Sequence, residues 1–209
     1  MATTAPKARS EAAEHLKAVA LRLFAERGID GVTVRQIAEA AGQKNHAVVG
    51  YYFGSKEALV RELIVDGARA IDVRRNAWLD ACEAKGGPLS VAEVIEGMIE
   101  TSLDPDAVPG DESFNRFFTL LGLSHRGFFM EALEGQWNTG YQRCLNHLRR
   151  MMPDMPVAKK NERFVFLGGT LGAILAARES ELADRSRPHR MWQSGVTLKH
   201  AAKVIAAMI

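Results

Sequence analysis

Apolar residues recur at helical spacing near the start of the chain. Leu16, Val19, Ala20, Leu23 and Phe24 follow the i, i+3, i+4, i+7, i+8 stripe of an amphipathic helix. Gly28 is placed to end that helix in a left-handed conformation. The run TVRQ puts Thr33 at an N-cap and Gln36 three positions on, the capping box that opens a second helix. Val34, Ile37, Ala38 and Ala41 give its buried face. Gly42 breaks it, and a third, short helix is predicted from about Lys44 to Phe53. Gly54 breaks again. Ser55 then N-caps a long fourth helix through Leu59, Leu63, Ile64, Ala70, Val73 and Leu79.

Beyond KGGP (Lys85 to Pro88) further helical stretches follow, separated by DPDAVPGD and MPDMP. The last two are predicted at about Val157–Ala183 and Gln193–Met208. No alternating run with hairpin turn chemistry occurs, and there is no repeat. The predicted fold is all-α: an N-terminal three-helix unit over residues 1–55 and a helical bundle over 56–209. No proline or glycine linker precedes the fourth helix, so it joins the two rigidly.

Composition excludes several classes. With 47% hydrophobic and 25% charged residues the chain is ordinary globular protein. No apolar run approaches the roughly 20 residues of a membrane span, and the first residues lack the apolar core of a secretory signal. Cys82 and Cys144 are isolated, without metal-ligand spacing, which fits a reduced, cytoplasmic protein. Net charge is only +2, but up to Lys56 basic residues outnumber acidic ones by three, which points mildly to an anionic partner there.

Three short helices, the second and third joined by a tight glycine turn, form a helix-turn-helix. Such a unit presents one helix end to the DNA major groove while the others brace it. Lys44 has the reach and chemistry for guanine and Asn45 for adenine. His46 has two readings, a solvated polar residue or a DNA-facing one. Thr33, Tyr51 or Tyr52, and Lys56 are placed for phosphate contacts. Arg35, Gln43 and Ala47 complete the candidate DNA surface.

The stretch LRLFAERGIDGVTVRQIAEAAG…YYFGSKEALVREL resembles the DNA-binding domain of the TetR family of bacterial transcriptional regulators, over about Ala12 to Leu63. Ten residues separate Gly42 from Phe53, one more than is common in the family. One residue turns a helical side chain by about 100°, so two registers stand open. Counting forward from Gly42 puts Lys44, Asn45 and His46 on the reading face. Counting back from Phe53 buries Val49 and selects Asn45, His46 and Ala47. Val48 or Val49 serves the core. Gly50 stands where many members have tyrosine.

The resemblance implies a C-terminal domain that binds an effector and forms a homodimer. FVFLGGTLGAILAA (Phe164 to Ala177) carries several glycines, each costing about 1 kcal/mol in a helix, and close helix approach would explain them. Phe164, Gly168, Gly172 and Leu175, with Val196, Val204 and Met208, are the candidate dimer residues. Intrachain packing is the alternative. An aromatic and methionine-rich zone offers candidate pocket residues: Phe117, Phe118, Leu121, His125, Met130, Trp137, Tyr141 and Arg178. A plain core is the rival reading of these residues. The expected effector is small and apolar or amphipathic.

The implied function is a repressor released from a palindromic double-stranded DNA operator by that effector. The alternatives are a DNA-binding regulator without a small-molecule effector, or a helical enzyme. Against the enzyme, no GxSxG, HExxH, glycine-rich phosphate loop or paired-cysteine site is present. No catalytic residue, metal ligand or cofactor is therefore expected.

Overall fold

The computed structural model describes residues 6–209, and side chains from residue 11 onward. Lys7 and Arg9, which contribute to the N-terminal positive charge, lie outside the described side chains. Among the described residues every regular element is helical: α1 (Pro6–Arg27), α2 (Val34–Ala40), α3 (Val48–Phe53), α4 (Lys56–Glu83), α5 (Val91–Ser102), α6 (Phe114–Ser124), α7 (Arg126–Leu133), α8 (Thr139–Met151), α9 (Val157–Ala183), α10 (Arg190–Gln193) and α11 (Gly195–Ala206).

The helix ends follow local chemistry. Gly28 has φ +70, and its N–H donates to Phe24 O at 2.9 Å. The capping box forms as the sequence predicts: Gln36 N–H donates to Thr33 Oγ1 at 3.2 Å, and Thr33 N–H donates to Gln36 Oε1 at 2.8 Å. Ser55 Oγ accepts the Ala58 N–H at 3.0 Å and opens α4. Gly42 and Gly54, with φ +68 and +83, stop α2 and α3 in a region where a Cβ is strained.

By packing, the chain divides into two compact units. One takes the residues up to Asp66 together with Phe117–Leu133; the other takes Gly67–Arg116 and Glu134–Ile209.

In the first unit, the predicted α1 stripe is buried throughout: Leu16, Val19, Ala20, Leu23 and Phe24 are 0–7% exposed. Val32, Ile37, Ala38, Val49, Leu59 and Ile64 are buried in the same unit, as are Phe117 and Leu121 of the later chain, with the Phe117 ring against Phe24. His125 Nε2 lies 3.0 Å from Asp30 Oδ2, and Arg61 pairs with Glu131 at 3.0 Å. Two local expectations change. Val34 is 38% exposed, because the seven-residue α2 turns only Ile37 and Ala38 fully inward. The third helix starts at Val48, four residues later than its predicted start at Lys44.

The second unit has its own core. Leu79, Val94, Ile95, Met98, Ile99, Cys144, Leu148, Leu167, Ala202 and Ile205 are its most buried members. A Cβ placed on Gly97 of α5 would collide with the Trp78 ring, and one on Gly67 with the Phe114 ring. Both glycines let an aromatic ring lie against a helix backbone. The start of α6 is capped from α9: Glu179 is 1% exposed and accepts the Asn115 N–H at 3.0 Å, the Arg116 N–H at 2.7 Å and the Asn115 Nδ2–H at 2.9 Å.

Candidate nucleic-acid interface

The glycine turn after α2 is closed by backbone bonds, Gly42 N–H to Glu39 O at 3.0 Å and Gln43 N–H to Ala38 O at 2.9 Å. Lys44 to Ala47 run as an exposed turn before α3, and Val49 is fully buried while Val48 is half-buried. Burial of Val49 matches the register counted back from Phe53. Asn45, His46 and Ala47 are all exposed, as is Lys44.

The side chains of this surface are already partly engaged. Asn45 Oδ1 accepts the Ala47 N–H at 2.9 Å. Arg35 Nε donates to Glu39 Oε1 at 2.8 Å, and His46 Nε2 lies 3.6 Å from the same oxygen. The Arg35 hydrogen bond holds the Glu39 carboxyl below its usual range. Glu39 is not among the residues that sequence reasoning singles out. It stands four residues after Arg35, the helical pairing distance, and that spacing is the signal that could have found it.

Lys56 is turned inward. Its Nζ donates to Ile29 O at 3.0 Å and Val32 O at 3.2 Å, tying α4 to the α1–α2 loop and leaving one of its three donors. Thr33 spends its hydroxyl in the capping box. The adjacent tyrosines divide as helical geometry requires: Tyr51 is 64% exposed, Tyr52 is half-buried, and their rings meet edge-on at 5.0 Å.

This arrangement is a helix-turn-helix with an exposed polar approach to its last helix, and residues 16–63 match the sequence profile of bacterial regulatory proteins of the tetR family. The head of this chain is a TetR-family DNA-binding domain. The whole chain shares its fold with solved regulators. A chain from Shewanella sp. PV-4 classed as a tetR family transcription regulator is 16% identical, with 94% of this chain and 96% of that one covered and a TM-score of 0.60. The TetR family transcriptional regulator PfmR from Thermus thermophilus is 16% identical, with 92% and 97% covered and a TM-score of 0.53. Identity at this level establishes the fold and nothing about ligands. No curated protein matches the chain. Among the described residues, no helix is long and apolar enough to cross a membrane.

The candidate pocket residues divide between the two units. Phe117 and Leu121 are buried in the core of the first, where Phe118 meets Phe129 edge-on at 4.5 Å and Met130 is 51% exposed. In the second, Arg178 pairs with Glu112 at 2.7 Å, Trp137 lies under Arg69 at 5.9 Å, and burial raises the Tyr141 hydroxyl pKa. A polar cavity of about 400 Å³ in the second unit is lined by Glu83, Gly86, Gly87, Arg143, Asn146, His147 and Arg150, none of which the sequence pattern marks.

The candidate dimer residues fall on different faces. Phe164 and Leu175 are buried in the second unit's core, Gly168 and Gly172 are half-buried, and so is Met208. A Cβ on Gly168 would meet Tyr141 Oη at an ordinary 3.5 Å. Val196 and Val204 are 74% and 53% exposed. On α9 the outward apolar residues are Val165 and Phe166, 72% and 58% exposed, followed by the exposed Gly169 and Ala173.

Proposed function

We propose that this protein is a homodimeric transcriptional repressor that binds a palindromic operator and is released by a small apolar or amphipathic effector. Residues 1–55 act as the reading head and 56–209 as the effector-binding and dimerising body. The observation that carries the reading is the exposed Lys44–Ala47 turn leading into α3 of a TetR-type head. Base contacts come from that turn, with Gln43 at its edge. Phosphate contacts come from Arg35, Tyr51 or Tyr52, and the remaining donor of Lys56; the Thr33 donors are spent on Gln36.

One head reads few base pairs, so function calls for a two-fold dimer with heads about 34–36 Å apart. The apolar outward residues of α9 and α11, Val165, Phe166, Val196 and Val204, support a self-complementary surface of that kind. An effector acts by favouring a body conformation in which the head spacing no longer fits.

The test is binding of purified protein to the DNA upstream of its own coding region, across a salt series, with and without small-molecule extracts. A repressor of this kind binds a palindrome there, loses affinity steeply with salt and is released by one fraction. Binding with no releasing fraction supports a regulator without effector. Absence of any sequence-dependent binding sinks the proposal.

A further inference from the structure

Lys44, Asn45, His46 and Ala47 are consecutive and exposed, yet their side chains are not equivalent. Asn45 turns its Oδ1 back onto its own chain, where it accepts the Ala47 N–H at 2.9 Å. Its backbone oxygen also receives the Val48 N–H at 3.3 Å. Ala47, at the N-cap of α3, has no side chain that could cap. The Asn45 amide therefore does what an N-cap side chain does elsewhere: it satisfies an otherwise open N–H where the helix starts. An asparagine that reads adenine presents both its oxygen and its nitrogen to the base edge. Here one lone pair of that oxygen is taken by the chain, and the bond turns the amide back onto the Ala47 N–H.

His46 has Glu39 as its neighbour across the turn. Glu39 Oε1 lies 3.6 Å from His46 Nε2 and accepts the Arg35 Nε–H at 2.8 Å. A lone carboxylate on a phosphate-facing surface repels DNA. This one is tied to Arg35 of α2 by a hydrogen bond and lies near the ring of His46, beyond hydrogen-bond distance. Lys44 is exposed and pairs with no other described residue, so its ammonium is available to a base.

We propose that Asn45 and Glu39 are positioning residues of the reading surface, and that base reading falls on Lys44 and His46. This rests on the DNA-binding reading of the head. In operation Asn45 sets where α3 begins, Glu39 sets the direction of the His46 ring, and discrimination between base pairs comes from the two flanking side chains.

The experiment is selection of bound duplexes from a randomised pool by full-length protein, for the wild type and for Asn45→Ser, Asn45→Ala, Lys44→Ala, His46→Ala and Glu39→Gln. Each variant's melting temperature is recorded alongside. Serine caps about as well as asparagine, so Asn45→Ser keeps the wild-type base preference at every position, with affinity within about threefold. Asn45→Ala weakens binding on all sequences by about 2–10-fold. Lys44→Ala and His46→Ala each abolish preference at one base pair, a loss of about 5–100-fold in discrimination. Glu39→Gln blunts the preference at the His46 base pair with the melting temperature unchanged. Loss of a base preference in Asn45→Ser, or an unaltered profile in His46→Ala or Glu39→Gln, overturns the assignment. A wild type that enriches no sequence overturns the DNA reading beneath it, and the two failures are told apart by that first sample.

Discussion

Phe24 of α1 and Phe117 of α6 meet with ring centroids 6.2 Å apart and planes tilted by 30°. Both are 1% exposed. A residue far along the chain thus completes the core of the unit that carries the helix-turn-helix. Its neighbours in that unit add polar ties, His125 to Asp30 and Arg61 to Glu131.

Truncating Phe117 to alanine should therefore destabilise the head and not merely the later chain. A buried phenylalanine replaced by alanine costs about 3–5 kcal/mol. Urea unfolding would read the loss, and amide exchange would locate it. Faster exchange in α1 and around Ile37 and Ala38 is expected. Acceleration confined to α6 and α7 would show that the ring pair contributes little to the head.

Gly97 carries a second packing requirement. The Trp78 ring occupies the place a Cβ would take, and Trp78 is packed against the core of the second unit. Gly97→Ala must push the ring away from α5, at about 1–3 kcal/mol for an overpacked site. The indole emission should shift with it. Adding Trp78→Leu should recover part of the loss, since the two sites share one contact. If the double variant is simply additive, the clash is not the cause.

Much of this is legible in the sequence, and the division follows the range of the interactions. The capping box at Thr33 and Gln36, the stops at Gly28, Gly42 and Gly54 and the span of α9 depend on neighbours a few residues apart, which a local pattern can carry. Lys56 reads as a phosphate contact from its place at the start of α4. Its bonds to Ile29 O and Val32 O bridge distant segments that spacing does not encode. Phe164 reads as an interface residue, yet it is buried and Phe166 is exposed. In FVFLGG both faces are apolar, so periodicity alone cannot say which one turns outward. The start of α3 escapes the pattern for another reason: Lys44 to Ala47 have no helix breaker, and only the Asn45 side-chain bond shows where the turn ends.

Glu179 gives a pH-dependent prediction. Burial raises its carboxyl pKa, opposed by the hydrogen bonds from Arg116 and Asn115. A raised folded-state value means that the folded form takes up its proton more readily than the unfolded chain. Stability from this group is present at low pH and is lost as pH rises through the folded value. The window runs upward from the ordinary glutamate range. Glu179→Gln removes that dependence and also turns an amide donor toward one of the backbone N–H groups at the start of α6. The variant should be less stable by about 1–3 kcal/mol at neutral pH. Its deficit should widen as pH is lowered through the window. Thermal melts of both proteins from neutral pH down to about pH 4, near the ordinary glutamate value, would check this. A deficit that narrows toward acid would contradict the sign.

Phe164 and Phe166 test the dimer surface, because they lie two residues apart on α9 and point opposite ways. Phe164 is 7% exposed in the second unit's core, with the Arg149 guanidinium 5.1 Å over its ring. Phe166 is 58% exposed beside Val165 at 72%, an apolar pair that a soluble monomer has little reason to leave uncovered. Phe166→Asp should leave the helical content and melting of the monomer nearly unchanged. In a two-fold interface the new charge meets its own copy or an apolar surface without a partner, which costs several kcal/mol. Sedimentation should then show monomer at micromolar concentration, and palindrome affinity should fall by at least about 100-fold as the second half-site contact is lost. Phe164→Ala should do the reverse, lowering the melting temperature with the association constant less affected. A Phe166→Asp protein that still sediments as a dimer would place the interface elsewhere.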